Sequence, residues 1–280
     1  MNVLVTGSSG QLGSATVRHL KAHGHRVTGI DLIPADITDA LIDVRDKAAV
    51  ASTVKGFDAI IHTAALHGKH YELGYPREGF IHANILGTLN LLEACVAQGI
   101  GRFLYTSTTS IYGEAMVDKD KAVWVDETLI ERPRDIYDIT KQAAEQLCRD
   151  FFNKEGLQAS VYRVGRFLPE DDNLKLNHRL YRGLDERDGA EALRLALEAD
   201  FANFEIFNIS SGSPFKREDV VELKHNPLAA ILKYHPQAEA IYAAKGWQFP
   251  KSIDRVYDCG KAIRYFGYQP RYTFGFLLDS

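Results

Sequence analysis

Tyr137-Asp138-Ile139-Thr140-Lys141 places a phenol and an ammonium four residues apart at the start of a long apolar-periodic segment, 137–155. On a helix that spacing brings both to one face, one turn apart. A free phenol, with a pKa of about 10, is a poor base at neutral pH. A neighbouring ammonium favours the phenolate and brings it toward the range useful for proton transfer. The same pair also occurs by chance on plain exposed helix faces, so it needs company to mean anything. A second feature supplies some. The run 105–113 (Tyr-Thr-Ser-Thr-Thr-Ser-Ile-Tyr-Gly) follows an apolar strand directly, and Ser107, Thr108 or Thr109 could hold a fixed hydroxyl against a reacting oxygen. A polar turn after a strand is the other reading of that run.

Such side chains work only if the fold brings them together, and the chain alternates between two kinds of segment. Short apolar runs at 3–5, 26–30, 59–62, 102–106 and 159–163 read as strands. Between them lie segments with helical periodicity at 11–22, 47–54, 80–98 and 137–155. This alternation predicts parallel βαβ units and an α/β fold with a doubly wound parallel sheet, the Rossmann arrangement, over residues 1–165. The strand at 204–209 is expected to rejoin that sheet. Residues 169–177 read as a polar loop. Residues 166–190 and 213–280, the latter broken by prolines at 214, 227, 236, 250 and 270, read as a small C-terminal substrate lobe.

Ligands of such sheets bind beyond the carboxyl ends of the strands. There, Thr6-Gly7-Ser8-Ser9-Gly10-Gln11-Leu12-Gly13 joins the first strand to the first helix. Glycines at this spacing permit a tight turn and let the backbone approach a pyrophosphate at a helix N-terminus. A plain tight turn is the simpler alternative. Asp31 ends the second strand, where a carboxylate accepts both ribose hydroxyls of an adenosine and repels a 2′-phosphate. That reads as NAD over NADP, against a turn residue before Pro34. Asp43 and Val44 would suit the adenine edge. Thr63, Ala64 and Ala65 are small residues where backbone passes close to a cofactor. Asn84 is either a side-chain bridge or polar filler. A bound oxidised nicotinamide would favour the Tyr137 phenolate further, and Lys141 could also hold its ribose.

Composition narrows the class. Of 280 residues, 33 Lys and Arg face 37 Asp and Glu, a net charge of −4, with 45% hydrophobic and 25% charged. That mild acidity argues against nucleic acid or an anionic membrane as the main partner. No run is expected to span a membrane, the N-terminus lacks the basic region of a signal peptide, and a cytoplasmic location fits. Cys95, Cys148 and Cys259 are scattered and odd in number, which argues against disulfides and a zinc site. His19, His23 and His25 read as a solvated helix end, and His67 with His70 likewise, so no metal is expected.

Taken in order, Thr6–Gly13, Asp31, Asp43-Val44, His62–Ala65, Asn84 with Gly87-Thr88, Ser107-Thr108 and Tyr137-x-x-x-Lys141 resemble the extended short-chain dehydrogenase/reductase family, which includes nucleotide-sugar epimerases and dehydratases. The resemblance implies NAD as cofactor, held by Gly7, Gly10, Gln11, Leu12, Gly13, Asp31, Asp43, Val44, Thr63, Ala64, Ala65, Asn84, Tyr137 and Lys141. It also implies Tyr137 as acid/base, Lys141 as its partner and Thr108 as the catalytic hydroxyl. The implied reaction is epimerisation or oxidation of a hydroxyl on a sugar or nucleotide-sugar, with Ser107, Thr108, Thr109, His67 and Arg166 toward the substrate. Long helices at 80–98 and 137–155 pair into a homodimer in similar proteins. The chain departs from the family pattern at three places. Thr109-Ser110 replace the acidic pair of the dehydratases, which argues against dehydration. Arg166 stands where the epimerases carry asparagine, and 169–190 is short for a lobe cradling a nucleotide diphosphate. The last two features are similar to uronate dehydrogenases, in which case Arg166 would pair with a substrate carboxylate or phosphate, unless it only bridges to Glu170 or Asp171. The alternative activity is therefore dehydrogenation of a free sugar acid, and the minor one a redox-silent NAD-binding regulator.

Overall fold

The computed structural model describes residues 1–279. Alternation within the first strand, β1 (Asn2–Thr6), sets the layering: Val3 and Val5 enter one core cluster and Leu4 the other, each with 0% exposure. A parallel strand buried on both faces needs apolar side chains on both, so it reads as a continuous run. The chain then passes through α1 (Gln11–Ala22), β2 (Arg26–Asp31), β3 (Ala40–Leu41), α2 (Lys47–Thr53), β4 (Ala59–His62), α3 (Gly68–Glu72) and α4 (Arg77–Phe80). Next come α5 (Gly87–Gln98), β5 (Arg102–Thr108), β6 (Val123–Val125), α6 (Ile136–Glu155), β7 (Gln158–Val164), α7 (Asp172–Arg179), α8 (Glu186–Glu198) and β8 (Glu205–Ile209). The C-terminal part holds α9 (Val220–His225), α10 (Pro227–Tyr234), α11 (Ala238–Lys245), β9 (Arg255–Tyr257), α12 (Gly260–Phe266) and α13 (Phe274–Leu278).

Among the described residues the main sheet has seven parallel strands in the order β3-β2-β1-β4-β5-β7-β8. The expected doubly wound sheet is therefore present, and β8 rejoins it with Ser160 opposite Glu205. Helices α1 and α8 cover one face through Leu12, Val17, Leu20, Leu193 and Leu197. On the other, α2, α5 and α6 contribute Val50, Leu91, Leu92, Ala144 and Cys148. Strand order reverses between β1 and β4, so the crevice opens at the ends of those two strands.

Three expectations need correction. The helix expected at 80–98 is not one regular α-helix, because a π-helical turn, Ile81–Leu86, separates α4 from α5. This wider turn carries Asn84, 1% exposed, into contact with neighbouring elements. The same stretch, Arg77–Gln98, is 22 residues long with hydropathy 1.4, so by length and composition it could cross a membrane, contrary to the expectation that no run would. Here it buries Phe80 and packs Leu91, Leu92 and Cys95 into the sheet core. The loop expected at 169–177 instead contains α7, started by Asp171, whose carboxylate accepts from the Leu174 N–H at 2.9 Å.

A separate core of Leu176, Leu180, Leu223, Ile231, Tyr242, Ile253, Val256 and Phe274 forms in the C-terminal part. Here β6 pairs in parallel with β9, Trp124 opposite Val256. Helix α8 begins at Glu186, inside the stretch 166–190, and lies against α1.

Candidate active site

The phosphate loop folds as its glycines require. Gly7 has φ +74, and a Cβ there would sit 2.6 Å from the Ala64 backbone nitrogen. A Cβ on Gly13 would sit 2.0 Å from the Gly7 carbonyl oxygen. The Thr63 hydroxyl donates to the Thr6 carbonyl at 2.7 Å, which locks the end of β4 against this turn. Helix α1 starts after Gly10 with no side-chain cap and no acid in its first turn, so its amide end remains an anion site. Leu12 is 4% exposed and belongs to the core, while the Gln11 amide reaches Glu186 at 3.1 Å.

Asp31 does two things at once. One oxygen accepts from the Ser9 N–H of the loop at 3.0 Å, and the other from the N–H groups of Leu32 at 2.6 Å and Ile33 at 3.2 Å. Asp43 is gripped by Arg45 through Nε and Nη2 at 2.9 and 2.6 Å, which holds its carboxyl below the usual carboxylate range. Val44 packs at the start of α5, where a Cβ on Gly87 would meet its side chain at 2.8 Å, and the Val44 carbonyl accepts from Asn90 at 3.0 Å. Ala65 lies with Thr63 and Ala64 in the partly exposed segment leaving β4.

Asn84 ties that segment to α6. Its Oδ1 accepts from the Leu66 N–H at 2.8 Å, and its Nδ2 donates to the Leu66 carbonyl at 2.9 Å and to Thr140 Oγ1 at 3.0 Å. Thr140 in turn donates to the Tyr137 carbonyl at 2.9 Å. Asn84 thus bridges the loop after β4 to the first turn of α6, which Asp135 caps through the Asp138 N–H at 3.0 Å.

Around the phenol, burial dominates. The Tyr137 hydroxyl is pushed up to about 12 by its buried surroundings and opposed by a hydrogen bond with the Thr108 side chain, while the carboxylates of Asp138 and Asp135 push it further up. This differs from the expectation that Lys141 would lower it. The Lys141 ammonium is turned to the Thr106 carbonyl at 2.6 Å and lies over the Tyr105 ring, 4.2 Å from its centroid. Burial brings Lys141 down to about 7, with the Glu145 and Cys148 side chains holding it up. Thr108 accepts from the Ser110 N–H at 3.1 Å. Ser107 is 2% exposed and its hydroxyl has no partner among the described residues. Gly68, next to His67, lies alongside the Tyr137 ring: a Cβ there would be 3.9 Å from Cδ1. His67 caps α3, its Nδ1 accepting from the Lys69 N–H at 3.3 Å, and burial lowers its pKa to about 4.

Two assigned substrate contacts are committed elsewhere. Thr109, 3% exposed, donates to the Val164 carbonyl at 3.2 Å and belongs to the strand packing, because the residue after the strand turns its hydroxyl back onto β7. Arg166 pairs with Glu170 at 2.6 Å, the bridging arrangement considered beside a substrate role.

A fully buried ion pair escaped sequence reasoning. Arg163 donates to Glu145 through Nε at 3.0 Å and Nη2 at 2.7 Å, to Tyr112 through Nη1 at 3.0 Å, and also to Glu131. The one signal in the sequence was the spacing of Lys141 and Glu145, four apart on one helix face. For the histidines at 19 and 23, the structure sets the donor atoms of His19, His23 and Glu191 within 4.8 Å of one another, with Arg194 also bonded to Glu191 at 2.7 Å.

The residues present fit a dinucleotide: an uncapped helix start, a glycine turn with no room for a Cβ, an acid closing β2, and an orphaned hydroxyl at Ser107. Comparison with known proteins points the same way. The family described as "NAD dependent epimerase/dehydratase family" matches residues 3–181. A UDP-glucose 4-epimerase from Corynebacterium glutamicum is 28% identical over 266 residues, 80% of this chain and 79% of that protein. A uronate dehydrogenase from Pseudomonas putida is 28% identical over 180 residues, 62% of this chain and 64% of that protein. The solved UDP-glucose 4-epimerase of Thermus thermophilus, in complex with NAD, superposes with a TM-score of 0.71 at 25% identity, covering 100% of this chain and 98% of that one.

Proposed function

This chain belongs to the NAD dependent epimerase/dehydratase family, and on that premise we propose that it oxidises one hydroxyl of a sugar or nucleotide-sugar and, as an epimerase, restores it with inverted configuration. Gly7 to Gly13 and Asp31 would hold the dinucleotide, and NAD bound there would supply the acceptor for a hydride from the reacting carbon. Tyr137 takes the hydroxyl proton as general base. Thr108 and Ser107 hold the reacting oxygen by hydrogen bonds, which strengthen as charge develops on it. Lys141, turned to the Thr106 carbonyl at 2.6 Å, positions the phenol by tying α6 to the end of β5. Asn84 and Thr140 fix the turn that aims Tyr137.

One observation carries this reading: the Lys141 ammonium donates to the Thr106 carbonyl at 2.6 Å, which seats the start of α6, and Tyr137 with it, against the end of β5 where Ser107 keeps a buried, unpartnered hydroxyl. Incubation with NAD and UDP-glucose, followed by product NMR and NADH absorbance, tests it. A 4-epimer formed without accumulating NADH supports epimerisation. Absence of any sugar product from nucleotide-sugars and free uronates alike would defeat the reading.

A second reading, dehydrogenation of a free sugar acid, is favoured by the half-exposed Arg166 guanidinium beyond the end of β7. NADH accumulating steadily with a uronate would select it. We also infer a homodimer through the helix faces that expose Ile81, Leu86, Val96 and Ile139, which sedimentation would read as twice the chain mass.

A further inference from the structure

Between the phosphate loop and α7 opens a cavity of about 80 Å³ whose walls are rich in donors. Gln11 closes one side, Arg166, Lys175, His178 and Arg179 bring donors to the wall, and the apolar stretch 167–169 completes it beside two carboxylates. The Arg166 backbone is fixed on both sides, its N–H donating to the Arg182 carbonyl at 2.9 Å and its own carbonyl accepting from Leu184 at 2.8 Å. Its guanidinium, 40% exposed, uses Nε to hold Glu170 at 2.6 Å. The second Glu170 oxygen lies 2.6 Å from His178 Nδ1.

The state of that histidine follows from its other side. Arg182 Nη2 lies 2.9 Å from His178 Nε2, and a guanidinium can only donate. Nε2 therefore carries the lone pair, and Nδ1 carries the proton given to Glu170. His178 is a neutral donor aimed at a carboxylate. Deeper in the wall Arg179 is 3% exposed and bonds Asp185 through Nη2 at 3.2 Å, while its Nε has no partner among the described residues. A buried donor normally has an acceptor. Two carboxylates line the cavity, Glu170 and Glu186, and Glu186 already accepts from Gln11 at 3.1 Å.

We propose that this cavity is the seat of an anionic group of the substrate and that Glu170 is its resident competitor, a carboxylate of the chain that an incoming carboxylate or phosphate must displace from Arg166 and His178. The proposal rests on the reading of the chain as a sugar-hydroxyl enzyme and names the residue that sets its selectivity. Glu170 is nearly as enclosed as a bound ligand, its side chain 8% exposed, and the loop that carries it begins at Arg166 itself. Arg166 Nε and the one proton of neutral His178 are both already given to Glu170, so an anion that takes these same donors displaces it. A neutral sugar brings nothing to exchange for it, and Glu170 thereby discriminates against neutral substrates.

Calorimetry on the NAD-loaded protein tests this with glucuronate, inorganic phosphate and glucose as probes. Glu170→Gln keeps the shape and removes the competing charge, so glucuronate or phosphate should bind roughly tenfold tighter. Arg166→Gln should weaken the same probe by a similar factor, and glucose should respond to neither change. Which probe responds distinguishes a carboxylate seat from a phosphate seat. An ion pair that only braces the loop predicts that both variants weaken binding, and that result overturns the proposal. Unchanged affinities, or no anion bound by any variant, overturn it equally. Thermal melts establish that each variant is folded, and Glu170→Ala is read in the same way should Glu170→Gln not fold. Tyr137→Phe should bind the anions like the parent. Anion binding without turnover would therefore count against the chemistry, and turnover without the opposite shifts against the seat.

Discussion

Arg163 clasps Glu145 with two nitrogens, Nε at 3.0 Å and Nη2 at 2.7 Å, both side chains almost wholly out of water. Glu145 stands one helical turn beyond Lys141 and is the first of the groups that keep that buried ammonium charged. The pair therefore joins β7 to the catalytic helix and supplies negative charge below the site. Glu145→Gln leaves Arg163 with Glu131 as its remaining carboxylate and should cost about 3 kcal/mol of stability, read as a lowered denaturation midpoint in urea.

Tyr137→Phe removes the proposed base while keeping the ring beside Gly68. Turnover should fall by about 10²–10⁴-fold, with NAD affinity unchanged in fluorescence titration. A Phe variant as active as the parent would remove Tyr137 from the chemistry.

Asp31→Ala should relax the preference for NAD over NADP by roughly ten- to a hundredfold, because the carboxylate at the end of β2 repels a 2′-phosphate. The ratio of kcat/KM with the two cofactors measures it. Since Asp31 also holds the Ser9 N–H, NAD itself should bind more weakly in the variant.

Stability should depend on pH through Lys141, whose pKa is lowered to about 7 in the folded chain from 10.5. Between those values the unfolded chain binds a proton that the folded chain does not. Stability therefore rises with pH across that window and is lost as pH falls toward 7. In Lys141→Met the urea midpoint should change less between pH 7 and pH 9.5 than in the parent. An equal slope in both would assign the effect to other groups.

Six of the seven sheet strands were legible because they are short apolar runs, the trace left by a parallel strand buried on both faces; the two-residue edge strand Ala40–Leu41 is too short to leave one. The phosphate loop and the Tyr137–Lys141 spacing were legible because their geometry is local. What escaped depends on partners far along the chain. Val123–Val125 is too short to read as a strand until Arg255–Tyr257 arrives beside it, and Arg163 reads as an ordinary strand residue until Glu145 is brought under it. The direction of Lys141 was hidden too, since helix spacing gives a face but not the carbonyl toward which an ammonium turns. Thr109 shows the converse: a hydroxyl in a reactive-looking run is fully used by a neighbouring strand.

The union of β6 with β9 bears on how the protein matures. The segment leading into α6 is secured by residues synthesised about 130 positions later. A nascent chain still lacking Arg255 has no partner for β6, so the approach to Tyr137 gains its anchor only once residues 255–257 have been made. Disrupting the β6–β9 pair, whose Val256 belongs to the C-terminal core and not to that of the sheet, should for that reason silence the enzyme before it unfolds the sheet.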